Sequence, residues 1–331
     1  MTRTPSTLPS VALGGPELET SVLGLGCMGM AEFYGPTSEA DSIATIHTAL
    51  DRGVTLIDTA YMYGGGRSEQ IVGRALAGIP RETVRVATKG GLIRTPDNVM
   101  IDGRPEHLHA AIDESLTRLG LDHVDLYYLH RVDPHVPVEE SIGAMAEMVA
   151  AGKVLSIGIS EANGNTIRRA HATHRLHAVQ SEYSLCTREP EQDQLEVCRE
   201  LGIGFVAWGP LSRGLLTGTI RAADFGADDV RSVLPRFTSE ALAANLVLVD
   251  RLAQLAAELG CSLPQLALAW LIAQDVVPIP GAMTVDQLTD NLGATEVSLT
   301  PQLLERIDAI VPVGAFSGHR FHASMAAAVD K

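Results

Sequence analysis

The sequence predicts an α/β protein, a (β/α)8 TIM barrel with an N-terminal β-hairpin, and three observations carry that prediction. Eight short apolar, β-branched runs recur: Val22 to Leu25, Val54 to Ile57, Val84 to Ala87, Val124 to Leu129, Val154 to Ile159, Ala178 to Gln180, Ile203 to Ala207 and Val276 to Ile279. Segments with apolar residues at helical spacing alternate with them. Most successive runs lie roughly 22 to 40 residues apart, the length of one strand plus one crossover helix, and such crossovers share one hand. Eight units of one hand close into a barrel.

Each element has its own local signals. Val11 to Leu13 and Leu18 to Val22 flank Gly14-Gly15-Pro16, a hairpin placed to plug the bottom of the barrel. Ile43, Ile46 and Leu50 share a helix face that Ser38 and Asp41 open and Gly53 stops. The pattern repeats with Leu108, Ile112, Leu116 and Leu119 before Gly120, with Val138, Ile142 and Met145 before Gly152, and with Leu195, Cys198 and Leu201 before Gly202. One interval is long. Between Ala207 and Val276 a polar loop, Leu211 to Ser239, precedes two helices, the first marked by Leu242, Leu246, Val249, Ala253 and Ala256. This reads as an insertion near the seventh strand. No Pro/Ser linker interrupts the chain, so a single domain over residues 1–331 is expected.

Composition narrows the function. The 331 residues are 46% hydrophobic and 20% charged, which excludes a disordered chain. With 25 Lys+Arg against 40 Asp+Glu the formal charge is -15, a field that repels nucleic acid and anionic lipid. Cys27, Cys186, Cys198 and Cys261 show no metal or redox spacing, so no metal site is expected and a reduced cytoplasm is the expected setting. Neither a signal-peptide run at MTRTPSTLPSVALGG nor a membrane span is found, so no membrane partner is expected. Oligomeric state has no signature in the sequence.

In a barrel the working face is built at the C-terminal ends of the strands. Polar residues there are Asp58, Lys89, His130, Ser160 and Gln180, followed by Trp208 and Gly281. Asp58, Tyr63, Lys89 and His130 come from three adjacent strand ends and so converge. A lysine beside a phenol stabilises phenolate, and the Tyr63 pKa is expected to fall from its ordinary value of about 10. Lys89 would be held by Asp58, while His130 would orient a carbonyl. Such a pocket gives a proton to carbonyl oxygen while another agent gives hydride to carbon.

For that agent, Gly24-Leu25-Gly26-Cys27-Met28-Gly29 offers a G-x-G-x-x-G match in the wrong context. Phe33-Tyr34-Gly35-Pro36 breaks the chain before any helix, and the next acidic strand end is Asp58. A better anion site follows the eighth strand, where Pro278-Ile279-Pro280-Gly281 leads to a helix start with Thr284 and Gln287 in capping-box spacing. Trp208 offers a flat face, Arg213 a pyrophosphate contact, and Ser160 and Gln180 hydrogen bonds to an amide.

These residues resemble the aldo-keto reductase family. The resemblance rests on seven ordered stretches: Ile57-Asp-Thr-Ala-Tyr-Met-Tyr-Gly64, Ala87-Thr-Lys-Gly-Gly91, Asp125-Leu-Tyr-Tyr-Leu-His130, Gly152-Lys-Val-Leu-Ser-Ile-Gly-Ile-Ser160, Val179-Gln-Ser-Glu-Tyr183, Ala207-Trp-Gly-Pro-Leu-Ser-Arg-Gly-Leu-Leu216 and Pro278-Ile-Pro-Gly281. It looks most like the bacterial NADP(H)-dependent branch whose fifth strand ends in Ile-Ser-Glu. The resemblance implies reduction of a small-molecule aldehyde or ketone by NADPH, with Tyr63 as general acid, Lys89 and Asp58 tuning it, and His130 orienting the carbonyl. It implies that Met28, Asp58, Ser160, Gln180, Trp208, the loop Pro210, Leu211, Ser212, Arg213 and Gly214, and then Gly281, Gln287 and Asn291 bind the cofactor. Phe33, Tyr61, Met62 and Trp208 would border the substrate. The sequence departs from the family at Glu161, where many relatives have Asn. It departs again after Gly281, where Ala282-Met283-Thr284 lacks the Lys or Arg that meets a 2′-phosphate, so NADH is an alternative cofactor. The same residues would serve alcohol or sugar oxidation in reverse, or a cofactor-sensing subunit with slow turnover. The tail residues Phe316, His319, Arg320 and Phe321 either close over the site or pack on the barrel.

Overall fold

The computed structural model describes residues 8–31, 33–35, 37–95, 99–226, 228–322 and 329–330. Of the residues read above, Met1 to Thr7 and Pro36 lie outside the described set. Eight parallel strands carry the fold: β1 (Leu25–Gly26), β2 (Leu56–Asp58), β3 (Arg85–Gly90), β4 (Val124–Leu129), β5 (Val154–Ser160), β6 (Ala178–Glu182), β7 (Gly204–Trp208) and β8 (Val277–Pro278). Each pairs with the next in sequence. The ring closes where Gly26 bridges Gly281, supported by Gly24 N–H to Pro278 O at 3.0 Å and Gly26 N–H to Pro280 O at 3.1 Å. The fold is a (β/α)8 barrel.

That closure explains the G-x-G-x-x-G match. A Cβ on Gly24 would lie 2.9 Å from Ile279, and one on Gly26 would lie 2.8 Å from the Ile279 carbonyl, so these glycines let β1 and β8 approach.

The helices follow the expected grammar: α1 (Glu39–Asp51), α2 (Arg67–Leu76), α3 (Pro105–Leu119), α4 (Val138–Ala150), α5 (Gly164–Thr173), α6 (Gln194–Leu201), α7 (Ser239–Glu258), α8 (Leu263–Ile272), α9 (Val285–Leu292) and α10 (Pro301–Ile310). The Ser38 hydroxyl caps α1 by accepting from the Asp41 N–H, and Gly120 and Gly202 end α3 and α6 in the left-handed conformation. The insertion before β8 holds α7 and α8, as its periodicity predicts. Among the described residues no single helix is long and apolar enough to cross a membrane.

Inside the barrel, seven residues from six strands pack with Ile279, which directly follows β8: Leu56, Ala87, Leu126 and Tyr128 of β4, Ala178, Val206 and Val277. The N-terminal hairpin, Ser10–Ala12 with Glu19–Ser21, seals this column from below with Leu13 and Leu18. A Cβ on Gly204 would come within 2.3 Å of Leu13, which shows how closely the plug is seated. A second hairpin, Leu92–Arg94 with Val99–Ile101, was not foreseen. Its strands are three residues long and lack an apolar alternation, although Thr95-Pro96-Asp97-Asn98 is turn chemistry.

Candidate active site

Asp58 ends β2, Lys89 lies near the end of β3, His130 follows β4, and Tyr63 sits on the short turn after β2. The barrel converges all four. Lys89 Nζ donates to Asp58 Oδ1 at 2.5 Å and to the Thr59 carbonyl at 2.7 Å, and Gln180 Nε2 donates to Asp58 Oδ2 at 2.9 Å. Lys89 Nζ lies 5.1 Å from the Tyr63 ring centroid, and the His130 ring meets that ring edge-on at 5.8 Å.

Burial is severe here: Asp58 is 3% exposed and Lys89 1%. Burial opposes the Lys89 ammonium, but Asp58 and Tyr63 hold its pKa above the usual lysine value. For Tyr63 the expectation of a lowered pKa is overturned. Burial raises the phenol above its ordinary value, the Lys89 charge draws it back only in part, and Asp58 raises it further. Asp58 offsets part of the Lys89 charge, and the desolvation of the phenol outweighs the stabilisation that Lys89 still gives the phenolate. Tyr63 is therefore a protonated phenol in neutral solution. Burial, then the charges of Arg131 and Lys89, hold His130 well below the usual histidine value, so its ring is neutral. His130 Nδ1 is buried with no partner among the described residues.

From these residues a cleft of about 360 Å³ runs to α9. Asp58, Tyr63 and Met28 line its inner end, Trp208, Pro210, Leu211, Arg213 and Gly214 its middle, and Gly281, Met283, Gln287, Asp290 and Asn291 its far end. The Arg213 guanidinium stacks 5.2 Å from the Trp208 ring centroid. Ser212, Arg213 and Gly214 all have positive φ, which folds the loop back along the cleft. Two expectations change in detail. The Ser212 hydroxyl turns away to accept from Arg236 Nη1 at 3.4 Å. The Thr284 hydroxyl caps α9 from the Gln287 N–H as expected, but Gln287 Oε1 returns to the N–H of Met283, one residue earlier than in a capping box.

Of the residues expected to border substrate, Phe33 meets the Tyr63 ring edge-on at 6.5 Å and Met62 is buried beside it. Tyr61 goes elsewhere. Its hydroxyl donates to Glu114 Oε2 at 3.0 Å and its ring lies 4.5 Å from the Arg118 guanidinium, so it packs on α3. It is drawn there by partners whose side chains the strand pattern does not reveal.

The tail closes over the site. Asn245, fully buried on α7, exchanges two hydrogen bonds with the Ser317 backbone at 2.7 and 3.0 Å. This docks Arg320, whose guanidinium grips Glu161 with bonds of 3.1 and 2.6 Å, and Phe321, whose ring centroid is 6.1 Å from that of Trp208. Glu161 also accepts from the Trp208 indole N–H at 2.9 Å and from the Glu182 N–H at 2.8 Å. Arg131 and Glu182 at this face were missed in the sequence. Both follow or end a strand, and position alone could have flagged them. Ser160 Oγ accepts from Arg131 Nη1 at 3.3 Å.

The comparisons agree with this architecture. The model of the "Aldo/keto reductase family" matches residues 22–312. The chain is 42% identical over 323 residues to a "Probable aldo-keto reductase 1" of Glycine max, covering 96% of this chain and 93% of that protein. Among solved structures, the glycerol dehydrogenase from Gluconobacter oxydans superimposes with a TM-score of 0.84 at 31% identity, covering 91% of this chain and 94% of the other. A thermostable aldo-keto reductase, solved with the inhibitor epalrestat, matches with a TM-score of 0.73 at 30% identity, covering 92% of this chain and 100% of the other. The chain belongs to the aldo/keto reductase family, and its general class is oxidoreductase.

Proposed function

We propose that this protein reduces aldehydes or ketones to alcohols with hydride from NADPH or NADH, and that Tyr63 is the general acid. The observation that carries the reading is the convergence of the Tyr63 ring with Lys89 Nζ, 5.1 Å from its centroid, and with the His130 ring, edge-on at 5.8 Å. A bound nicotinamide dinucleotide supplies the hydride. Tyr63 gives its proton to the carbonyl oxygen as negative charge develops there. Lys89, held by Asp58, stabilises the phenolate left behind, and His130 orients the carbonyl without competing as an acid.

The donor set fits the cofactor. Gln180, bonded to Asp58, and Ser160, bonded to Arg131, are the amide partners nearest the inner end, Trp208 offers its face, Arg213 a cation for pyrophosphate, and Asn291 a polar contact beyond Gly281. Family resemblance favours NADPH. The far end of the cleft favours NADH: Met283 and Asp290 line it, the Gln287 N–H in the first turn of α9 is taken by Thr284 Oγ1, and the Met283 N–H before the helix is taken by Gln287 Oε1. A 2′-phosphate there would meet the Asp290 carboxylate, while Arg231, which also lines the cleft, is already paired with Asp229 at 2.5 Å. The Ile159-Ser160-Glu161 strand end supports placement in the bacterial branch. The same reading takes residues 1–331 as one domain acting in the cytoplasm. Alcohol oxidation by the same residues is a second reading, favoured by the similarity to a glycerol dehydrogenase.

The test is titration of Trp208 fluorescence with NADPH and NADH, paired with initial rates of their oxidation by a panel of aldehydes. Quenching by at least one cofactor and aldehyde-dependent oxidation of it are expected. Binding without turnover on any aldehyde or alcohol would replace this reading with that of a cofactor sensor.

A further inference from the structure

The chain carries a formal charge of -15, yet the face beside Tyr63 is locally positive. Four arginines, Arg131, Arg213, Arg236 and Arg320, surround two buried carboxylates, Glu161 and Glu182, while Lys89 and Asp58 cancel. Three of the arginines have a carboxylate. Arg320 grips Glu161 at 2.6 Å, Arg213 lies 3.6 Å from Glu182, and Arg236 lies 3.9 Å from it. Arg131 has none within 4.0 Å among the described residues.

Arg131 is nonetheless fixed in place. Its Nη1 donates to the His130 carbonyl at 2.7 Å and to Ser160 Oγ at 3.3 Å, which anchors one edge of the guanidinium to two residues of the proposed site. Its remaining donors take no protein partner among the described residues. Its charge reaches Tyr63 and His130, and burial holds its own pKa below the usual arginine value because Glu161, shared with Arg320, compensates only in part. A half-buried guanidinium without a counter-ion is costly, and the partner that satisfies it best is a carboxylate presenting two oxygens to its fork. With Arg213 assigned to the cofactor, that anion is left for the substrate to bring.

We infer that Arg131 selects substrates, and that the site takes aldehydes or ketones bearing a carboxylate a few bonds from the carbonyl. This rests on the carbonyl reduction proposed above. The anion docks on Arg131 while the carbonyl oxygen, a short step away beside His130, faces the Tyr63 hydroxyl.

The experiment measures kcat/KM with whichever cofactor turns over, on 4-formylbenzoate and 4-oxobutanoate against their methyl esters. The native protein should prefer each acid over its ester by about tenfold or more, the scale of one charge-assisted contact, and rising salt should erode that preference. Arg131→Gln should collapse the acid-to-ester ratio to near one, and Arg131→Lys should restore part of it. The ratio is the readout because Arg131 also braces Ser160: a purely bracing role would lower both substrates together and leave the ratio intact. An unchanged ratio in Arg131→Gln, or a native ratio near one with good ester turnover, overturns the inference and leaves carbonyl reduction standing. Failure of every acid and ester with either cofactor would overturn the reduction itself, and this inference with it.

Discussion

The two mouths of the barrel are built from opposite materials. At the bottom, Leu13 and Leu18 from the hairpin fill an apolar column, and Gly204 lies against Leu13. At the top, the same strands end in Asp58, Lys89, Ser160, Gln180 and Trp208, and buried charge replaces packing. The strands supply rigidity to both ends, but only the end with convergent polar groups has unsatisfied chemistry to offer a ligand. Apolar packing is concentrated below and buried charge above, so substitutions below should touch stability alone and those above stability and turnover together.

The largest effect is expected where the two properties meet. Lys89→Met leaves Asp58 buried without its cation, which should cost about 3 to 5 kcal/mol of stability, and removes the group that stabilises the Tyr63 phenolate. Chemical denaturation and turnover should both fall. A variant with native stability would show that the ion pair is not the mainstay of the top face. Leu13→Ala sharpens the contrast from below: about 3 kcal/mol of stability is lost to the cavity, with kcat and KM unchanged below the melting transition. A change in kcat would mean that the plug transmits strain to the site.

Smaller effects test how the tail is held. Asn245→Ala removes both hydrogen bonds to Ser317 and should cost about 1 to 2 kcal/mol, raising KM more than it lowers kcat because Arg320 and Phe321 lose their anchor. An equal fall in kcat would place the tail in the chemical step.

The pH profile should be the least eventful. His130 is held well below its ordinary value and stays neutral, while Tyr63 is raised above its own and stays protonated. Reductive kcat/KM should thus be level from about pH 6.5 to about pH 9 and fall only as Tyr63 loses its proton at higher pH. An inflection near the ordinary histidine value would contradict the neutral His130.

Much of this contrast was legible in the sequence because strand order fixes which residues share a mouth. The positions of Asp58, Lys89, His130 and Trp208 were readable from strand ends and that of Arg213 from the loop after β7, while Asn291, on α9, was named only through the family resemblance. Their ionisation was less readable. The fall expected for Tyr63 rested on the Lys89 charge, whereas the desolvation of the phenol, which no sequence pattern reports, dominates. The contacts of Tyr61 were not legible because its partners Glu114 and Arg118 lie on a helix face that periodicity locates but does not orient towards it. Arg320 meets Glu161 across 159 positions, a pairing that no local pattern encodes.

The central claim is that a proton from Tyr63 completes carbonyl reduction. It is tested most directly by Tyr63→Phe, assayed in single turnover with the preferred cofactor and a reducible aldehyde beside a cofactor titration. The account predicts a fall of about 10³-fold in the rate of cofactor oxidation with the cofactor Kd and melting temperature unchanged. Turnover within a few fold of the native protein would contradict it.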